Sequence, residues 1–188
     1  TKNCPTSVED IEFYKENGFI QYPNFFTKEE IKGLSDAVDD AIACNRDRIL
    51  GAENGGRGSE DYEKVFNQMV NLWCDYPSVK SYSLNQRLAE SARRLSASQH
   101  VRIYHDHAMI KPAGEISKET NWHQDSPYWP MDPIGSLSAW VAVDDVTIGN
   151  GCLNFIPKSH KFGKLEPIAL GKEGESIIKK MEEKEYEL

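Results

Sequence analysis

The 188-residue chain predicts an α+β fold: a helical first half ahead of a strand-built core. Three observations carry this expectation. Apolar residues recur at helical spacing through the first half, the period drops to two from His100 onward, and Gly/Asn turn signals punctuate the second half. Helices that precede a run of antiparallel strands bury their apolar stripes against a sheet. The expected core is therefore a sandwich or jelly roll with the N-terminal helices packed on one sheet.

Ser7 is placed to cap a first helix running to about Asn17, and Gly18 is its natural left-handed stop. Phe19, Ile20, Tyr22 and Phe25, interrupted by Pro23, suit a short strand and turn. Thr27 and Glu30 form a capping box ahead of Ile31, Leu34, Val38, Ala41 and Ile42, which share one face of an amphipathic helix. Residues 51–62, rich in Gly and charge, read as a mobile loop. Val65, Phe66, Met69, Val70 and Trp73 suggest a further helix. A last helix is expected from about Ser78 to Leu95, with Arg93 and Arg94 complementing its dipole.

In the second half, Val101, Ile103, His105, His107 and Met109 would share one face of a strand. Lys111–Asn121 is a polar connection. Strands are expected over Leu137–Val143 and Cys152–Ile156, joined by the turn-forming Ile148-Gly149-Asn150-Gly151. The acidic run Met181–Glu187 reads as a solvated helix. A jelly roll needs about eight strands, so the remaining C-terminal strands are expected beyond Leu188.

Composition narrows the function classes. Hydrophobic residues make up 39% and charged residues 28%, ordinary values for one globular domain over residues 1–188. A net charge of −8 and a pI of 5.2 argue against non-specific binding to nucleic acid or anionic membrane, which requires a basic surface. No stretch approaches the roughly 20 apolar residues of a bilayer span. The opening TKNCPTSVED lacks the basic and apolar regions of a secretion signal, so a cytoplasmic protein is expected, as monomer or homodimer. Cys4, Cys44, Cys74 and Cys152 are scattered, with no C-x-x-C pair, and are read as reduced thiols.

The segment that carries chemistry is Asn121-Trp122-His123-Gln124-Asp125. In extended backbone, positions i and i+2 point the same way, so the His123 imidazole and Asp125 carboxylate can converge on one ion. One imidazole and one carboxylate, completed by a second imidazole, make the facial triad of non-haem Fe(II) oxygenases, with positions left open for cosubstrate and O₂. An H-x-D tripeptide alone is a weak signal.

Its context is stronger. Phe19–Phe26 (FIQYPNFF), the His123–Asp125 triplet, Trp140 within SAWVAVDDV, and Asn150–Gly163 (NGCLNFIPKSHKFG) stand in an order and at separations that resemble the phytanoyl-CoA dioxygenase family, from about Ile11 to Gly163. The resemblance implies a double-stranded β-helix (jelly-roll) fold. It implies Fe(II), 2-oxoglutarate and O₂ as cofactor and cosubstrates, and hydroxylation of a small organic substrate with release of succinate and CO₂. Residue by residue, it makes His123 and Asp125 iron ligands, and Trp140 an aromatic wall of the 2-oxoglutarate site. His107 in HAMIKP and Lys64 in EKVFNQ match positions against the cosubstrate. The family's second iron-binding His and its 2-oxoglutarate-binding Arg have no match here, and are expected on later strands.

Other readings stand beside this one. His160, the only histidine downstream of His123, falls in PKSH, which the resemblance makes a structural turn. A different cupin-type metal enzyme would use it as a ligand. His105 and His107 also read as paired core histidines, and Tyr128, Trp129 and Pro130 as either a substrate wall or a rigid turn. A catalytically silent jelly-roll binding domain is the alternative from another class. Asp125 itself favours hydroxylation, since related halogenases replace that carboxylate with a small residue so that chloride can bind iron.

Overall fold

The computed structural model describes residues 4–44, 67–110, 120–130, 136–168 and 177–178. Helix α1 (Val8–Asn17) begins at a reciprocal cap: Ser7 Oγ accepts from the Asp10 amide at 3.1 Å, and Asp10 Oδ2 accepts from the Ser7 amide at 2.7 Å. Gly18 ends it at φ +84°, donating its N–H to the Tyr14 carbonyl. Glycine is required there twice over, because a Cβ would also collide with the His160 ring. Helix α2 (Lys28–Cys44) starts at the expected Thr27/Glu30 box and buries Leu34, Ala37 and Ala41.

Between them the expected strand over Phe19–Phe25 does not form. The segment is a turn with Asn24 at φ 58°, and its aromatic rings pack onto other elements instead of pairing in a sheet. Phe19 stacks on Phe155 at 4.9 Å, and Phe26 meets Tyr82 edge-on at 6.2 Å.

The expected helix around Val65–Trp73 is also replaced from Asn67 onward, Val65 and Phe66 lying outside the described residues. Strand β1 (Asn67–Val70) leads into left-handed Asn71 at φ 60° and the single turn α3 (Leu72–Asp75). Met69, Val70 and Trp73 match helical spacing, yet the chain pairs as a strand and buries Met69 almost completely. Helix α4 (Pro77–Ser83) and helix α5 (Gln86–Leu95) replace the one helix expected from Ser78 to Leu95. The break falls at Asn85, which leaves helical geometry and caps α5, its side chain accepting from the Arg87 amide at 2.9 Å.

Strand β2 (His107–Ile110) pairs antiparallel with β1, with Val70 opposite His107 and Met69 opposite Ala108. The expected strand from Val101 is thus paired over its last four residues only. The alternation is as expected, with His107 and Met109 on one face, which is outward, and Ala108 on the other, packed on the core. The core itself is Ala37, Ala41, Met69, Leu72 and Val79, joined by Ile42 and Tyr76. Burying a side chain the size of Met69 or Leu72 contributes about 1.5–3 kcal/mol.

Asp106 fixes β2 against this core. Its Oδ2 accepts from the Trp73 amide at 2.9 Å and from Ser83 Oγ at 2.8 Å, while its carbonyl accepts from the Asn71 amide at 3.1 Å. His107, the next residue, is therefore carried on a strand anchored to α3 and α4.

Between residues 120 and 168 the described backbone forms three short 3₁₀ turns, Ser126–Tyr128, Ile148–Asn150 and Ser159–Phe162, among irregular chain, and residues 177–178 are helical. The expected strands over Leu137–Val143 and Cys152–Ile156 have no ladder partner among the described residues. Alternation shapes a strand, but only a neighbour's backbone makes it one. Residues 51–62, Lys64 and Met181–Glu187 lie outside the described residues. All four cysteines carry free thiols. Among the described residues no helix is long and apolar enough to cross a membrane.

Candidate metal centre

His123 and Asp125 stand on the irregular segment that enters the Ser126–Tyr128 turn. Asp125 adopts right-handed helical angles (φ −69°, ψ −39°), so the triplet is not extended throughout. The side chains still converge, with His123 Nε2 3.4 Å from Asp125 Oδ1.

Each partner is oriented from behind. His123 Nδ1 lies 2.7 Å from the Asn121 carbonyl, which can only accept, so Nδ1 carries a proton and turns Nε2 toward Asp125. The other carboxylate oxygen, Asp125 Oδ2, accepts from Ser138 Oγ at 3.2 Å. Hydrogen bonding to Asp125 raises the His123 pKa, and the same bond lowers that of Asp125. The pair thus favours positive charge between its two atoms, whether carried by a proton or by a metal ion.

This arrangement fits a metal ion. Two donors at about 2.1 Å from one ion, with an angle of about 90–110° between them, lie roughly 3.0–3.4 Å apart. The Nδ1–H to carbonyl bond is the support that metal-bound imidazoles ordinarily carry. Asp125 is 53% exposed at its side chain and His123 24%, so an ion reaching the pair keeps room for further ligands. A third His, Cys, Asp or Glu that could complete a metal cluster does not occur among the described residues.

His160 does not serve as that third group. Its Nε2 lies 3.0 Å from the Lys15 carbonyl, and its ring rests on Gly18 at the end of α1. The turn that holds it is fastened to the same helix end: Lys158 and Lys161 both bind Glu16, at 3.1 Å and 2.6 Å, and the Lys158 amide donates to the Asn17 carbonyl. PKSH is a structural clasp.

His107 falls within the field of the pair. Desolvation by the surrounding protein and the nearby His105 hold its pKa below the ordinary imidazole value, while Asp125 pulls it upward. The His105 and His107 rings are 6.1 Å apart, edge to face. Trp140 stands 43% exposed on the segment that carries Ser138. A shallow pocket beside His123 is walled by Trp122, Phe155, Ile156, Leu165 and Ile177.

The contacts that support the pair are not evident from the sequence. Ser138 contacts Asp125, and the Asn121 carbonyl contacts His123. Gln124 and Tyr128 tie the loop to residues 163–168. Asn121, Gln124, Ser138 and Tyr128 fall in or beside the segments singled out in the sequence, which mark their neighbourhood but not their bonds.

Residues 14–186 match the model of the phytanoyl-CoA dioxygenase family. The chain belongs to this family. A phytanoyl-CoA dioxygenase of Arabidopsis thaliana is 23% identical over 88% of the chain and 69% of its own length. An ectoine dioxygenase of Bordetella bronchiseptica is 29% identical over 82% of the chain and 50% of its own length. The peroxisomal phytanoyl-CoA dioxygenase of Bos taurus is 23% identical over 88% of the chain, which spans 51% of it, so about half the length of two of these relatives is matched. Among solved structures, the non-haem α-ketoglutarate-dependent carbocyclase SnoK from nogalamycin biosynthesis superposes with a TM-score of 0.68 at 24% identity. That match covers 84% of this chain and 59% of SnoK, and it shows a shared fold.

Proposed function

We propose that this family member is an Fe(II)- and 2-oxoglutarate-dependent dioxygenase built on a double-stranded β-helix, which hydroxylates a small organic substrate and releases succinate and CO₂. The observation that carries the reading is the convergence of His123 Nε2 and Asp125 Oδ1 at 3.4 Å, with the His123 tautomer set by the Asn121 carbonyl. Ferrous iron bound there would couple oxidative decarboxylation of 2-oxoglutarate by O₂ to hydroxylation of a C–H bond.

The chain's own residues have distinct tasks in this reading. His123 offers the Nε2 lone pair, and the Asn121 carbonyl keeps the proton on Nδ1. Asp125 offers Oδ1, while Ser138 holds Oδ2 and so limits rotation of the carboxylate. His107, kept largely neutral by its surroundings, would donate a hydrogen bond to the cosubstrate instead of adding charge beside the metal. Trp140 would line the cosubstrate side. Lys64 is carried over from the family resemblance as a residue of the cosubstrate site.

Anaerobic titration of the protein with Fe(II) and 2-oxoglutarate tests the reading. A weak visible charge-transfer band that saturates at one equivalent is expected, and it should vanish in His123→Ala and in Asp125→Ala. A folded protein that shows no band, and releases no succinate in air, would instead be the silent binding domain.

A further inference from the structure

Among the described residues, the loop that holds His123 and Asp125 has little backbone support from elsewhere in the chain: the Trp122 carbonyl accepts from the Ile177 amide at 3.3 Å. Its regular structure is the single turn Ser126–Tyr128, and the sheet of the described residues lies elsewhere. Two of its side chains supply what a neighbouring strand would. The Gln124 carboxamide donates from Nε2 to the Gly163 carbonyl at 2.9 Å and accepts at Oε1 from the Leu165 amide at 2.9 Å. The Tyr128 hydroxyl does the same for one residue, donating to the Ile168 carbonyl at 2.6 Å and accepting from the Ile168 amide at 3.0 Å.

Both hooks land on one strap, residues 163–168, whose Leu165 and Ile168 are buried. Gly163 enters that strap at φ +74° and ψ −166°, a conformation open to glycine, so its carbonyl direction is built in. The hooks bracket the candidate ligands: Gln124 sits between them, and Tyr128 is three residues beyond Asp125 with its ring 6.2 Å from that of His123.

On the basis of the proposed metal site, we propose that Gln124 and Tyr128 are positioning residues that dock the His123–Asp125 loop onto residues 163–168 and thereby set the separation of the two ligands. Asp125 is half exposed and is held directly by Ser138 and His123, so a small rotation of the loop would carry Oδ1 away from Nε2. The hooks prevent that rotation because each satisfies a donor and an acceptor at once, which fixes direction as well as distance. Supports of this kind around metal sites are typically worth about 10–100-fold in metal affinity.

The test compares Mn(II) affinity with thermal stability in the intact protein. Gln124→Leu keeps the side chain's bulk and removes both bonds, and it should weaken Mn(II) binding by about 10–100-fold. Gln124→Glu keeps the acceptor for the Leu165 amide and sets a carboxylate oxygen against the Gly163 carbonyl, so it should also weaken binding and serves if the Leu variant fails to fold. Tyr128→Phe should produce a smaller loss in the same direction. Tyr22→Phe is the control: it removes a 2.9 Å bond to Thr6 on the helical side and should lower the melting temperature with Mn(II) affinity unchanged. Unaltered Mn(II) affinity in the folded Gln124 variants overturns the positioning role. Mn(II) binding that survives His123→Ala overturns the metal site itself, a distinguishable result.

Discussion

The helical half and the site-bearing half of this chain are held together in different ways. Among the described residues from Thr6 to Leu95, local caps at Ser7/Asp10, Thr27/Glu30 and Asn85 set the helix ends, and an apolar core of Ala37, Ala41, Met69, Leu72 and Val79 with ion pairs such as Arg87–Glu30 packs the helices together. From Asn121 to Ile168 regular structure is scarce among the described residues. Trp140, Ile148 and Phe155 stand exposed, and order comes from side chains that reach backbone groups far along the sequence. The first half is a scaffold that would tolerate surface change. The second is a loop assembly whose geometry depends on a few polar contacts, and functional sites are commonly placed on such loops against a rigid support.

This contrast can be tested from its strongest consequence downward. Met69→Ala should cost about 2–5 kcal/mol by opening a cavity in the helical core. Denaturant unfolding would measure the loss, and a change under about 1 kcal/mol would deny that this core anchors the domain. Asn85→Ala, which removes the cap between α4 and α5, should cost about 1 kcal/mol. Amide exchange should show faster opening confined to the first turn of α5, whereas a change spread into α2 would blur the division between local and long-range order.

His160→Ala removes the bond to the Lys15 carbonyl, which joins the two halves, and should cost about 0.5–1.5 kcal/mol. Its metal affinity should match wild type. A loss of metal comparable with His123→Ala would make His160 a ligand and contradict its assignment as a clasp.

The smallest effect is electrostatic. Bonds from Lys161 and then Lys158 hold the Glu16 carboxyl below its usual range. A depressed folded pKa means that the pair stabilises above the unfolded value of 4.5 and that this stabilisation fades as pH falls through the lowered folded value. Because these groups are exposed, the effect is small. Glu16→Gln should melt slightly below wild type at neutral pH, and the two melting curves should merge in strong acid. A gap that widens on acidification would carry the wrong sign.

The same division explains what can be read from the sequence. Caps and stops are local, so Ser7, Gly18, Thr27 and Glu30 announce α1 and α2 correctly. Asn85 is an equally local signal for the split between α4 and α5, but the continuous apolar pattern from Ser78 hides it. Pairing is non-local. Asn67–Val70 reads as helix because Met69 and Trp73 happen to sit four apart, and only Ala108 and His107 opposite make it a strand. For the same reason the alternation over Leu137–Val143 and Cys152–Ile156 predicts ladders that the described residues do not supply.

At the site, His123 and Asp125 are two residues apart and therefore legible. Ser138, Gly163, Leu165 and Ile168, which hold the loop, lie 13 to 41 positions from their partners; Ser138 and Gly163 fall inside recognised motifs, but nothing in the sequence pairs any of the four with the loop. The family motif carries the recognition, and the geometry shows how the motif's side chains are supported.

The most direct test is a crystal structure of the protein soaked anaerobically with Mn(II), with the metal located by anomalous scattering. One peak about 2.0–2.2 Å from both His123 Nε2 and Asp125 Oδ1 is expected. A peak on other residues, or His123 and Asp125 bonded to each other beside an ion bound elsewhere, would contradict the assignment.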